Sequence, residues 1–226
     1  MKVNNSLEET IDAYGDDHVG SSATTPLRAD AFELSNPKKV ELIQEKVAEI
    51  LEILGMDLTD DSIKGTPNRV AKMYVNEIFG GLHPDKKPKA SAFSNKYKYG
   101  EILVEKNITL YSTCEHHLLP IVGKAHVAYI SKGTVVGLSK MNRIVQYYAQ
   151  RPQVQERLTL QIVEELKQVL GTEDVACVID AKHLCVNSRG IRDISSSTIT
   201  SEFGGAFKNK EIKREFLDYI QLDTEF

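Results

Sequence analysis

The stretch that most constrains this chain is Cys114-Glu115-His116-His117-Leu118, answered about seventy positions later by His183-Leu184-Cys185. A cysteine and a histidine three apart can address one ion from a tight turn, and a distant second cysteine closes a site of two thiolates and one imidazole. Cys114, His117 and Cys185 are therefore candidate metal ligands. Zinc accepts that donor set, and three protein ligands leave a fourth position for water, as in catalytic rather than structural sites. Any fold available to the chain has to bring these two segments together. His116 and His183 are each tied in sequence to a proposed ligand. Adjacent side chains diverge, so His116 does not easily bind the ion that His117 binds; it and His183 are better used to move protons. The bland alternative is a pair of buried free thiols, because free cysteine packs like a small hydrophobe. For Cys114 alone that alternative leads, and the company of three histidines reverses the order. Cys177 lies in an apolar run without such company and reads as core.

The 226 residues suit one good-sized domain, or one domain with a helical extension. A net charge of -4 gives no basic face for nucleic acid. No run approaches the eighteen apolar residues of a membrane span, and MKVNNSLEET carries no apolar segment of a signal peptide. Three cysteines make an odd count unlike a secreted disulfide scaffold, so a cytoplasmic, reducing setting is expected.

Residues 1–34 are polar and aperiodic and read as a flexible arm. A helical region, 35–80, follows. Ser35-Asn36-Pro37 caps a helix with Val40, Ile43, Val47, Ile50, Leu51 and Leu54 at helical spacing, closed by Gly55. A second helix starts at Thr66-Pro67 and runs to Gly80-Gly81. The remainder, 81–226, reads as the catalytic domain. Leu82 to Lys98 reads as a surface connection. Ile102 to Tyr111 is strand-like, with Ile102, Val104, Ile108 and Leu110 on one face, and leads into Cys114. Ile121 to Ile130 is a second strand, turning at Ser131-Lys132-Gly133 into Thr134-Val135-Val136. Two helices follow, one capped by Ser139 and one striped with Val154, Leu158, Ile162, Leu166 and Leu170 up to Gly171, with Arg151-Pro152 breaking the chain between them. Val175 to Ala181 is a strand that delivers His183 and Cys185. Extended character resumes from Ile191, and a charged amphipathic helix ends the chain. Strand pairs separated by helices predict an α+β fold with an antiparallel sheet covered by helices.

A second constellation lies on the central helices. Lys140 and Arg143 share a face in a helix first turn beside Ser139, the arrangement of a phosphate site. Taken alone, the pair is more often a solvated face. Arg189, four after Cys185, could bring a further cation towards the metal. Arg69 occupies a helix first turn, where a cation opposes the helix dipole unless an anion compensates. Gln155 and Glu156 start the next helix. A carboxylate there suits the dipole and could also accept two parallel N–H bonds from a guanine edge.

The blocks Cys114-Glu115-His116-His117, Gly137-Leu138-Ser139-Lys140, Gln153-Val154-Gln155-Glu156-Arg157-Leu158-Thr159 and His183-Leu184-Cys185 with Arg189-Gly190 resemble GTP cyclohydrolase I. Gly65-Thr66-Pro67 with Arg69 to Met73 upstream, and Thr200-Ser201 through Gly205 and Phe207 downstream, extend the likeness over roughly residues 38 to 222. The resemblance implies a tunnelling fold: a four-stranded antiparallel sheet with two helices on one face, closed into a barrel only by oligomerisation. It implies a homodecamer of two stacked pentamers with active sites at subunit boundaries, which would cover otherwise open sheet edges. The implied reaction converts GTP and water to 7,8-dihydroneopterin triphosphate and formate, the first step of folate and pterin synthesis. Carried over by position, Cys114, His117 and Cys185 would hold Zn2+. Water activated there would attack C8 of guanine while His183 protonates N7. His116 with Ser139 would serve the later ribose rearrangement. Glu156, supported by Gln155, would hold the guanine edge. Lys140, Arg143 and Arg189 would hold the triphosphate, with Arg69 reaching it from an adjacent subunit.

Many relatives carry two arginines before the Gln-Val-Gln-Glu block, whereas here Pro152 follows Arg151, and Ile191 to Ser196 also departs from the commoner pattern. Neither difference touches a matched site position. Two other classes fit less well. Tunnelling-fold nitrile reductases bind purine-like rings through a similar glutamate but lack the Cys-Glu-His-His block. A non-catalytic zinc-stabilised binding protein needs neither the two extra histidines nor the cations. The Cys2His donor set also accepts Fe(II) or Co(II) in vitro.

Overall fold

The computed structural model describes residues 21–89 and 92–223, and its first ordered elements follow the local signals of the chain. Helix α1, Asn36–Ile53, has Ser35 at its N-cap with the hydroxyl accepting from the Lys38 N–H, Pro37 in the first turn, and Gly55 at φ +81° just past its end. Helix α2, Thr66–Met73, opens on Pro67 and passes directly into a π-helical turn, Tyr74–Ile78. No residue of α1 is buried, and Ile50, Ile53 and Leu54 are exposed. Its inner positions Val40, Ile43, Val47 and Leu51 are half-buried beside α2, where Asn68 donates to Gln44 at 2.6 Å.

Strands β1 (Ala92–Ser94), β2 (Ile102–Cys114), β3 (Pro120–Ile130), β4 (Thr134–Val136), β5 (Pro152–Gln153), β6 (Val175–His183) and β7 (Thr198–Phe203) form two sheets. The larger has the order β5-β2-β3-β6-β7, and the smaller pairs β1 with β4. The four long strands of the large sheet pair antiparallel. The fifth, β5, adds two residues parallel to β2 at Thr113 and Cys114. The α+β class expected from the sequence is borne out. The stretch from Leu82 to Lys98 is more than a connection, because Phe93 pairs there with Val135. Extended structure also resumes later than expected, at Thr198 rather than Ile191.

Helices α3 (Leu138–Ala149) and α4 (Gln155–Leu170) cover one face of the large sheet. Met141, Ile144, Leu158, Ile162 and Leu166 there pack against Leu110, Ile121, Val127 and Ile179. Gly171 ends α4 at φ +64°, in the left-handed conformation that a helix stop of this kind uses. Ser139 does not cap α3. Gly137 occupies the cap, without a side-chain bond, and Ser139 lies inside the first turn. After the single turn α5 (Leu184–Asn187), the last helix, α6 (Lys210–Gln221), lays Phe216 with Phe207 over Ala128 and Val178 on the opposite face.

One expectation about β2 fails for a physical reason. Ile102 and Val104 do not share a face with Ile108 and Leu110. The register jumps between Glu105 and Ile108, and Asn107 adopts φ +59° while its N–H donates to Nδ1 of His126 at 3.3 Å. Two residues there oppose one, and a one-residue insertion exchanges the faces of a strand. Ile102 consequently packs with Phe216, and Ile108 packs under α3 and α4.

The direction of α3 fixes what can approach the Cys114 end of β2. Asn142 donates to Glu105 at 3.0 Å, Gln146 to the Thr109 carbonyl at 2.5 Å, and Ser112 to the Ala149 carbonyl at 2.7 Å. The helix thus starts beside the far end of β2 and finishes near Cys114. Its first turn lies about 13 Å back along the axis from Ala149, at 1.5 Å per residue.

Candidate active site

At the end of β2 the chain reverses tightly. The Leu118 N–H donates to the Cys114 carbonyl at 2.9 Å, the Cys114 N–H donates to the Leu119 carbonyl at 2.8 Å, and Leu118 sits at φ +52°. The Glu115 N–H donates to the Gln153 carbonyl at 3.0 Å, tying the turn to β5. From the other side, β6 runs antiparallel to β3 with His183 opposite Ile121, and hands Cys185 to the first turn of α5. The Cys114, His117 and Cys185 ligand atoms all lie within 4.8 Å of one another.

Those positions suit a tetrahedral ion. Zinc bonds of about 2.3 Å to sulfur and about 2.0 Å to nitrogen place neighbouring ligand atoms roughly 3.5 Å apart. A small inward movement of three side chains closes the set. The two thiols also differ as a cation would require. Burial works to keep Cys114 protonated, but contacts from His183, the backbone N–H groups of His116 and His117, and Cys185 outweigh it and bring the thiol down to about 6. Burial and then the Cys114 charge push Cys185 up to about 11. One thiolate forms readily in this pair, and a second needs positive charge beside it. The donor set is compatible with zinc.

His183 is held from behind. Gln155 is 1% exposed, and its amide nitrogen donates to the Thr198 carbonyl at 2.9 Å, the Ile179 carbonyl at 3.2 Å and the Thr200 hydroxyl at 3.1 Å. Carbonyls only accept, so the orientation of the amide is fixed and its oxygen faces His183 Nε2 at 2.8 Å. That oxygen accepts, so Nε2 carries the proton of this bond. His116 places Nδ1 3.8 Å from the Cys114 sulfur.

A family model of GTP cyclohydrolase I matches residues 43–221. The chain belongs to the GTP cyclohydrolase I family. It is 72% identical over 224 residues to "GTP cyclohydrolase 1" of Flavobacterium johnsoniae, covering 99% of this chain and all of the relative. It is 52% identical over 204 residues to the protein of that name from Klebsiella pneumoniae subsp. pneumoniae, covering 90% and 92% of the two chains. Identity to the protein of that name from Salmonella arizonae is 51% over 217 residues, covering 96% and 98%. Family membership bears out the resemblance and the GTP cyclohydrolase activity expected from it.

Within this member of the GTP cyclohydrolase I family, one chain assembles part of the expected site. Cys114, His117, Cys185, His116, His183 and Gln155 converge, and Arg189 is close enough for its charge to favour the Cys185 thiolate. Glu156 is exposed in the first turn of α4, next to Gln155. Lys140 and Arg143 instead line a separate open cavity of about 380 Å3 beside α3, while Ser139 lies exposed in the same first turn. Arg69 is folded back on α2, donating to the Thr66 hydroxyl at 3.0 Å and the Ser62 carbonyl at 3.3 Å.

Sequence reasoning passed over four residues at these two places. Lys86 and Lys89 line the same cavity as Lys140 and Arg143. The signal was the cluster of lysines around Pro88, read only as polar surface. Glu115 and Arg157 form a bidentate ion pair at 2.6 and 3.1 Å directly behind the Cys114–His117 turn, with Arg157 3% exposed. Each was quoted within a matched block, yet nothing local marks two residues forty-two apart as partners.

Proposed function

We propose that this protein hydrolyses and rearranges GTP to 7,8-dihydroneopterin triphosphate and formate, opening tetrahydrofolate and pterin biosynthesis, with Cys114, His117 and Cys185 as its zinc ligands. The observation that carries the reading is the convergence of those three ligand atoms beside a His183 fixed on Gln155. Zinc bound there supplies Lewis acidity and a water whose pKa falls to about 7. His183, held on Gln155 through its Nε2–H, is the group that, as the imidazolium, hands its Nδ1 proton to the guanine imidazole ring. His116 and Ser139 serve the proton transfers of the later ribose rearrangement. Glu156 accepts from the guanine edge, and Gln155 orients both the helix start and His183. Lys140, Arg143 and Arg189 hold the triphosphate, joined by Arg69 of an adjacent copy.

This assignment asks for more than one chain, and three features support a tunnelling-fold oligomer. Lys140 and Arg143 lie along α3 away from Cys114, so a neighbouring copy has to bring such a pair to the metal. The outer edge of β7, and that of β2 before Thr113, pair with no strand among the described residues. Ile50, Ile53 and Leu54 at the end of α1 are exposed as well. We assign a decamer of two pentamers on this basis, with an arm at 1–34, a helical region at 35–80 and a catalytic domain at 81–226. Residues 1–20 of that arm lie outside the described residues. No helix among the described residues is long and apolar enough to cross a membrane. A reducing cytoplasm would keep Cys114 and Cys185 available as thiolates.

The test is incubation of the zinc-loaded protein with GTP, following formate and the fluorescence of the oxidised neopterin. Both products are expected. Absence of formate from an assembled, zinc-loaded preparation overturns the reading. The cation cavity makes a separate prediction. Lys140→Ala is expected to raise the KM for GTP about tenfold, the worth of roughly 1.4 kcal/mol of phosphate contact, and to flatten its salt dependence. Steady-state kinetics at two ionic strengths checks this, and an unchanged KM would remove Lys140 from the triphosphate site.

A further inference from the structure

The Arg157–Glu115 pair is placed to act on the metal site without touching the metal. Glu115 lies between Cys114 and the two histidines, and its side chain points away from them onto α4. Both carboxylate oxygens are taken by the Arg157 guanidinium at 2.6 and 3.1 Å. The third guanidinium nitrogen, Nε, gives its proton to the Ser22 carbonyl at 2.8 Å. Each of the three guanidinium nitrogens therefore donates, in a setting where only 3% of Arg157 reaches solvent.

The same stretch of helix also controls the other half of the ligand set. Gln155, two residues before Arg157, fixes His183 at the end of β6, two residues before Cys185. Arg157 fixes the turn that carries Cys114 and His117. The start of α4 thus spans both strand ends from which the ligands come, with one polar contact to each. A planar fork on a carboxylate defines distance and angle together, which a single point charge does not.

We propose that the Arg157–Glu115 pair is a positioning device: it sets the Cys114–His117 turn at the spacing from Cys185 and His183 that the metal requires. Ser22 completes the device, because its carbonyl accepts from the buried Nε of Arg157. The inference rests on the metal-ligand reading proposed above, but its test reads metal binding separately from turnover. A clamp of this kind lowers the reorganisation needed when the ion binds. Its loss appears in metal affinity and ligand geometry before it appears in GTP binding.

The variants are Glu115→Gln, which keeps shape and removes charge, and Arg157→Lys, which keeps charge and removes the fork. Zinc affinity is measured by chelator competition, and cobalt-substituted protein reports thiolate-to-metal and ligand-field absorption. Each variant is expected to bind zinc at least about tenfold more weakly and to shift the cobalt spectrum. At saturating zinc, kcat for GTP falls with KM unchanged, while Lys140→Ala moves KM with the cobalt spectrum intact. Wild-type zinc affinity and cobalt spectra in both folded variants overturn the proposal. So does failure of both variants to fold, since the pair would then be a stability element only. If wild-type protein releases no formate yet the variants still lose zinc affinity, the proposed reaction fails and the positioning role stands.

Discussion

Replacing Cys185 by serine is expected to abolish formate release from GTP, with a fall in kcat of at least about a thousandfold and loss of stoichiometric zinc. Serine has nearly the shape of cysteine, so α5 and the end of β6 stay in place. What disappears is a soft anionic donor, because a serine hydroxyl stays neutral beside a cation that a thiolate would bind. A metal lowers the pKa of bound water from 15.7 to about 7. Losing that effect removes most of the nucleophile at neutral pH, so a thousandfold is a floor. His183→Ala is the informative companion. It leaves the three ligands intact, and is expected to keep zinc while formate release fails. Metal content by atomic absorption and formate by coupled assay separate the two outcomes. Formate release by Cys185→Ser within tenfold of wild type would remove Cys185 from the ligand set.

The convergence of Cys114, His117 and Cys185 was legible in the sequence because donor chemistry is local in kind even where the partners are distant. Cys114 and His117 share one turn, and a sulfur ligand seventy residues on needs only a strand to deliver it. The helices were legible for a similar reason: Ser35, Pro37, Gly55 and Gly171 are punctuation that acts on neighbouring residues. The bulge at Asn107 was not. A strand that changes faces still alternates on each side of the change, and only the positive φ of one asparagine marks the join. Nor did the cap residue of α3 follow from composition. Ser139 is a good cap by type, but the chain enters the helix earlier, at Gly137. The clearest limit concerns Lys140 and Arg143. Their pairing is a one-helix property and was read correctly, whereas their distance from Cys114 depends on α3 running back along β2. That direction is set by bonds such as Asn142 to Glu105, between residues thirty-seven apart that no local pattern connects. Glu115 and Arg157 belong to the same category.

The sheet itself makes the second large prediction, at a glycine that lies between the two halves of the site. Gly123 on β3 is paired with Ala181 on β6, two positions from the Ile121–His183 pair. A β-carbon built on Gly123 would lie 2.1 Å from the Asp180 carbonyl oxygen and 2.5 Å from Cα of Ala181. These are backbone atoms within the sheet, and no side-chain rotation relieves them. Gly123→Ala therefore has to push β3 and β6 apart or shift their register, and either movement carries His183 and Cys185 away from Cys114. Overpacking where side chains can yield costs about 1–3 kcal/mol. With backbone on the receiving side the cost is expected to exceed about 3 kcal/mol, a drop of roughly 6–12 °C in the thermal midpoint for a domain of this size. Zinc binding should weaken in the same variant, because the ligand spacing is set across this strand pair. Gly100→Ala is the control, since a β-carbon there meets nothing within 4 Å. Its unfolding and zinc affinity should match wild type. Calorimetry with chelator competition on the two variants decides the matter: a Gly123→Ala protein that melts with the wild type would show that β3 and β6 are not held this close.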